Sequence, residues 1–108
     1  MEKIYNKLVR NGIPNIIKEN GGEPICRVLS DKEFEESLNK KLFEEVQEVV
    51  EASGCERLEE LADIYELIRT IAELHDSSME NVARLANKKK KERGAFDEKI
   101  FLEKVIEE

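Results

Sequence analysis

The chain has no tryptophan, one histidine, two cysteines, two prolines and only six tyrosines and phenylalanines among its 108 residues. Each scarcity removes a class of protein. Cys26 and Cys55 are far apart and form no C-x-x-C. They read as free, reduced thiols rather than a disulfide framework. Two cysteines and one histidine also fall short of a four-ligand zinc site. With His75 as the only histidine, no Ser/His/Asp or Cys/His set can be assembled. His75 itself lies at a helix end with no visible partner, and reads as a surface residue. No run of about 18 apolar residues is present, so no membrane span is expected. The opening residues have no apolar stretch of signal-peptide length, which leads to a cytoplasmic expectation. There is no phosphate-cradling glycine-rich loop, which excludes a P-loop enzyme. Positive charge is outweighed: the formal net charge is −7. That argues against a general binder of nucleic acid or anionic membrane.

What is abundant is charge and periodicity. Charged residues make up 40% of the chain, and apolar residues another 40%. The apolar residues recur at helical spacing, so the chain is expected to fold, as one domain over residues 1–108. Pro14 suits a first helical turn and Gly21-Gly22 a stop, giving a short helix at Asn15–Glu19. Residues 24–29 are extended by composition, with strand and linker both open. Ser30 and Glu33 read as a capping box. Behind it Phe34, Leu38, Leu42, Val46, Val49 and Val50 form one stripe, on a helix running to about Ala52. Gly54 reads as its stop. The next helix, from about Glu56 to about Leu74, has a broad apolar set that includes Leu58, Leu61, Tyr65, Ile68 and Ile71. A stripe so wide implies burial on a second side, and in a small chain that side is another subunit. Ser77 and Glu80 read as a second capping box. It opens a helix with Val82, Leu85 and Ala86 inside, closing near Arg93-Gly94. The tail from Phe96 to Glu108 leaves strand and short helix open. The expected class is therefore all-α, an antiparallel helical bundle, with candidate extended segments near 24–29 and in the tail.

Two acidic pairs stand on either side of the break at Ser53-Gly54: Glu45-x-x-Glu48 and Glu60-x-x-Asp63. Each pair, spaced i, i+3, shares a helix face. Folding the helices back about residue 54 sets Glu48 against Glu60 and Glu45 against Asp63. Val46, Val49, Leu61 and Ala62 flank the acids, which predicts a face turned toward the core. With 25 acidic residues, such pairs also arise by chance, and Glu35, Glu36, Glu51, Glu56 and Glu59 read as solvated. Glu44, one turn before Glu48, can join or rim the cluster. Four converging carboxylates repel, and burying them unpaired is costly. Mg²⁺, a hard cation that prefers oxygen, is the simplest counter-charge, with Mn²⁺ as a substitute. Clustered carboxylates with such ions suit phosphate chemistry. Cations for the phosphates are available at Lys7 and Arg10, and at Lys91 and Arg93 beside Asn87. The Lys88–Lys91 run also serves as a solvated helix C-terminus.

Glu44, Glu45 and Glu48 with Glu60 and Asp63 resemble the EExxE…ExxD signature of the all-α nucleoside triphosphate pyrophosphohydrolases, the MazG-like superfamily. The opening YNKLVR at residues 5–10 followed by Ile13-Pro14, and KERGAF at 91–96, resemble a small branch of it. The resemblance covers most of the chain. It implies a helical bundle assembled as a homodimer or homotetramer. It also implies Mg²⁺-dependent cleavage between the α- and β-phosphates of a nucleoside triphosphate. The ligand roles carry over to Glu45, Glu48, Glu60 and Asp63. By the chemistry of the cluster itself, Glu45 or Glu48 is the candidate proton acceptor. Asn87 and Lys91 fall where relatives place substrate-contacting residues. Two departures stand out. Eleven residues separate Glu48 from Glu60, a short spacing for the superfamily. Asn11-Gly12 stands where the branch shows Asp-Lys. A phosphoribosyl-ATP pyrophosphatase fits the opening less well. A non-catalytic helical interaction protein, using the apolar face from Leu58 to Leu74, is the alternative from another class.

Overall fold

The computed structural model describes residues 1–107, and the tail's last residue, Glu108, lies outside them. The chain is all-α. Its four helices are α1 (Ile13–Glu19), α2 (Asp31–Glu51), α3 (Gly54–Leu74) and α4 (Met79–Arg93), with no strand among the described residues. The fold is a small helical-bundle type. The chain divides into two compact units, Met1–Ile71 and a second beginning at Ala72.

In the first unit, α1 starts with Ile13 and Pro14 in its first turn, two residues earlier than the composition predicts. It ends at Asn20, followed by Gly21 at φ 86°. Residues 22–30 have no regular structure, so the extended composition at 24–29 is a linker and not a strand. Among the described residues no second strand exists to pair with it. Arg27 pins this linker to α2 with two hydrogen bonds to the Glu33 carboxylate, at 3.3 and 2.8 Å. The Ser30–Glu33 capping box forms as expected: the Ser30 hydroxyl accepts from the Glu33 N–H, and the Glu33 carboxylate accepts from the Ser30 N–H. α2 and α3 are separated by Ala52 and Ser53 alone. Gly54 does not stop α2; it begins α3, at φ 56°, a left-handed conformation that favours glycine. So tight a junction turns α3 back along α2.

The centre of this unit is Leu38, 1% exposed, with Phe34, Leu42, Val49, Ile64, Leu67 and Ile68 half-buried. The expected inward face at Val46, Leu61 and Ala62 is corrected: all three are exposed. Each residue advances 100° around a helix, so a neighbour of an inward acid points well away from it. Phe43, Val46 and Val50 share one exposed stripe on α2, and Leu58, Leu61 and Tyr65 share one on α3.

The second unit holds the end of α3 and α4. The α3 terminus closes with Ser77 N–H donating to the Ala72 carbonyl at 2.8 Å. The α4 cap is Ser78, not Ser77, and its hydroxyl accepts from the Asn81 N–H at 3.1 Å. Ser77 accepts instead from the Asn81 side chain at 2.9 Å. Adjacent serines make the register ambiguous in sequence; the backbone at Ser78 resolves it. Leu85 and Ala86, expected inside, are exposed. α4 ends at Gly94, φ 86°, and the tail through residue 107 is neither helix nor strand.

Candidate metal centre

Glu45, Glu60 and Asp63 meet where α2 and α3 face each other. Each places a carboxylate oxygen within 4.8 Å of the other two. Glu45 is the deepest, 6% exposed; Glu60 and Asp63 are half-buried. One oxygen of Glu45 and one of Glu60 (Oε2 in each) are buried with no hydrogen-bond partner. An ionised oxygen in that condition is costly unless a cation or proton reaches it.

The fourth acid, Glu48, is exposed and stands at the edge of the cluster. It lies close enough to both Glu60 and Glu45 for the carboxyls to share a proton. The carboxyls respond unequally. The hydrogen bond to Glu48, then burial, pushes Glu60 up to about 7. Burial, reinforced by Glu48, raises Glu45. Glu48 is lowered, because the hydrogen bonds from Glu60 and Glu45 favour its ionised form, helped by Lys41 and Lys7. The inner carboxyls are thus shifted toward the protonated form and the outer one toward the ionised form.

Two side-chain cations join it. Arg10 donates to Asp63 Oδ1 at 2.7 Å, across 53 residues of sequence. Lys41 Nζ lies 3.4 Å from Glu45 Oε1 and 4.0 Å from Glu44. Arg10, a candidate phosphate contact, stands here on a carboxylate. Lys41 is a further member of the cluster, and its i, i+4 spacing to Glu45 is the signal for it in the sequence. Lys7 is close enough to act electrostatically on Glu48. It also lines a small cavity of about 80 Å³ with Ser37, Lys40, Lys41 and Glu44. Asn87, Lys91 and Arg93 are in α4, in the second unit; Asn87 and Lys91 share one face with Arg84 and Lys88. Cys26 and Cys55 are both free and exposed.

The donor set fits a hard divalent ion. It is all oxygen, three carboxylates converge, and two of their oxygens have nothing else to bind.

No family model matches the chain, and no solved structure does. One curated relative, an uncharacterized protein of Mycolicibacterium smegmatis, is 46% identical over 43 residues. That stretch is 40% of this chain and 44% of the relative. No helix of the described residues is long and apolar enough to cross a membrane. The established description is therefore an all-α chain with a partly buried acidic cluster able to chelate a divalent metal.

Proposed function

We propose that the chain is a Mg²⁺-dependent nucleoside triphosphate pyrophosphohydrolase of the MazG-like kind, acting as a homo-oligomer. The observation that carries this reading is the convergence of Glu45, Glu60 and Asp63 with two buried, partnerless oxygens. These three residues hold the ion, and Glu48 borders it. Bound there, Mg²⁺ neutralises phosphate oxygens and acidifies a water molecule. Of the two candidates for the proton acceptor, Glu48 suits better than Glu45: it is exposed to the attacking water and held ionised, whereas Glu45 is buried and held toward its protonated form. The attacking water gives its proton to Glu48, its oxygen bonds to phosphorus, and the phosphoanhydride bond breaks. A monophosphate and pyrophosphate result. Lys7 and Arg10 are the nearby cations for the phosphates.

Pyrophosphate release from a panel of canonical and modified nucleoside triphosphates and phosphoribosyl-ATP, in Mg²⁺ and in EDTA, tests the reading. Metal-dependent release that Glu48→Gln abolishes supports it. Full turnover in Glu48→Gln refutes the assignment of Glu48. No product from any substrate, with a melting temperature that Mg²⁺ leaves unmoved, sinks the enzyme. A second reading, a non-catalytic interaction module, then leads, favoured by the exposed stripes on α2 and α3.

A further inference from the structure

We propose that Arg10 is an exchangeable counter-cation: it holds Asp63 in the metal-free protein, yields it to an incoming divalent ion, and then turns its guanidinium to the phosphate of the ligand. The inference rests on the metal reading above and concerns how that site is loaded.

The two cations of the cluster are held very differently. Lys41 and Glu45 are on the same helix, one turn apart, and their side chains are 23% and 8% exposed. Removing Lys41 leaves a buried carboxylate without a partner, so Lys41 stays. Arg10 reaches Asp63 from an irregular segment, through a single hydrogen bond, with side chains 58% and 42% exposed. Such a pair contributes little and is readily exchanged for water or another ion. Meanwhile Glu45 and Glu60 each offer an oxygen with no partner, and Asp63, the third member, has its Oδ1 engaged by Arg10. An ion that gathers all three carboxylates must compete with that guanidinium.

The backbone of Arg10 does not need to move in the exchange. Its carbonyl accepts from the Ile13 N–H at 3.0 Å, in the turn that enters α1. The side chain alone changes partner. A planar guanidinium released beside a divalent site has the fork geometry that phosphate oxygens match. Asp63 thus acts as the contact through which cation loading frees an anion-binding group.

Calorimetric titration of the full chain with MgCl₂ alone, and then with inorganic pyrophosphate at saturating Mg²⁺, tests this. The proteins compared are wild type, Arg10→Gln and Arg10→Lys, with circular dichroism to check folding. Arg10→Gln is expected to bind Mg²⁺ at least about three-fold tighter than wild type, since an exposed ion pair no longer competes. Its pyrophosphate affinity is expected to fall about ten-fold, the loss of a charge-assisted contact. Arg10→Lys should retain competition for Mg²⁺ while losing pyrophosphate affinity. Equal or weaker Mg²⁺ binding by Arg10→Gln overturns the exchange, with the metal site itself intact. Unchanged pyrophosphate affinity overturns the second role of Arg10. If neither wild type nor Arg10→Gln binds a divalent ion, the metal reading falls, and the exchange with it.

Discussion

Glu45 concentrates the energetics of the site in one side chain. One oxygen is met by Lys41 and the other by nothing, in a position 6% exposed. Glu45→Gln is expected to keep the helical circular dichroism and to abolish Mg²⁺-dependent stabilisation. For wild type that stabilisation is about 2.7 kcal/mol at one hundred times the dissociation constant. Thermal melts of both proteins with and without Mg²⁺ measure it; equal shifts would remove Glu45 from the ligand set. Glu60 sets a pH dependence. Its folded pKa of about 7 lies above its ordinary value, so the native state holds a proton that the unfolded chain has lost. The associated stability is present below about pH 4.5 and is lost as pH rises through about 7. In EDTA, the wild-type melting temperature should therefore fall between pH 5 and 8, and Glu60→Gln should flatten that slope. A wild-type slope of the opposite sign would contradict the assignment.

At the scale of elements, the α2–α3 junction and the α2 cap are the points of control. Gly54 has φ 56°, and a Cβ built there meets no atom within 4 Å. Gly54→Ala is expected to destabilise by about 1 kcal/mol through backbone conformation alone, not by collision. Urea unfolding measures this; a neutral result would mean the junction relaxes to another turn. The α2 cap adds a linked ion pair. Arg27, hydrogen-bonded to Glu33, and the Ser30 N–H and hydroxyl bring the Glu33 carboxyl down to about 2. This contribution is present above about pH 4.5 and lost as pH falls toward 2. An NMR titration of Glu33 should move upward in Arg27→Gln, while an unmoved midpoint would leave the Ser30 N–H and hydroxyl as its causes. Ser30→Ala should cost about 1 kcal/mol of stability.

For the whole molecule, the exposed stripes matter most. Phe43 is 78% exposed and Leu58 68%, on helices whose opposite faces hold the unit together. Large apolar side chains at i, i+3, i+7 on both helices favour the homo-oligomer we propose. Light scattering coupled to size exclusion should give two or four times the monomer mass, and Leu61→Glu should reduce it. A monomeric wild type would end that expectation.

Much of this molecule is legible in its sequence. The Ser30 cap followed from local chemistry, as did the end of α4 at Gly94 and the i, i+3 spacing within each acidic pair, because caps, turns and helical periodicity act over three or four residues. The sequence did not determine which neighbours of the acids point inward, whether Tyr65 belongs to the core, or which of two serines caps α4. Periodicity names a face; only packing decides whether that face meets protein or water. Nor did it pair Arg10 with Asp63. That contact joins residues 53 positions apart, and such contacts exist only once α3 has turned back along α2. The sequence by itself determined the helices and the excess of negative charge. The tertiary structure decided which carboxylates share that charge, because electrostatic energy depends on distance and burial, and both are properties of the folded chain.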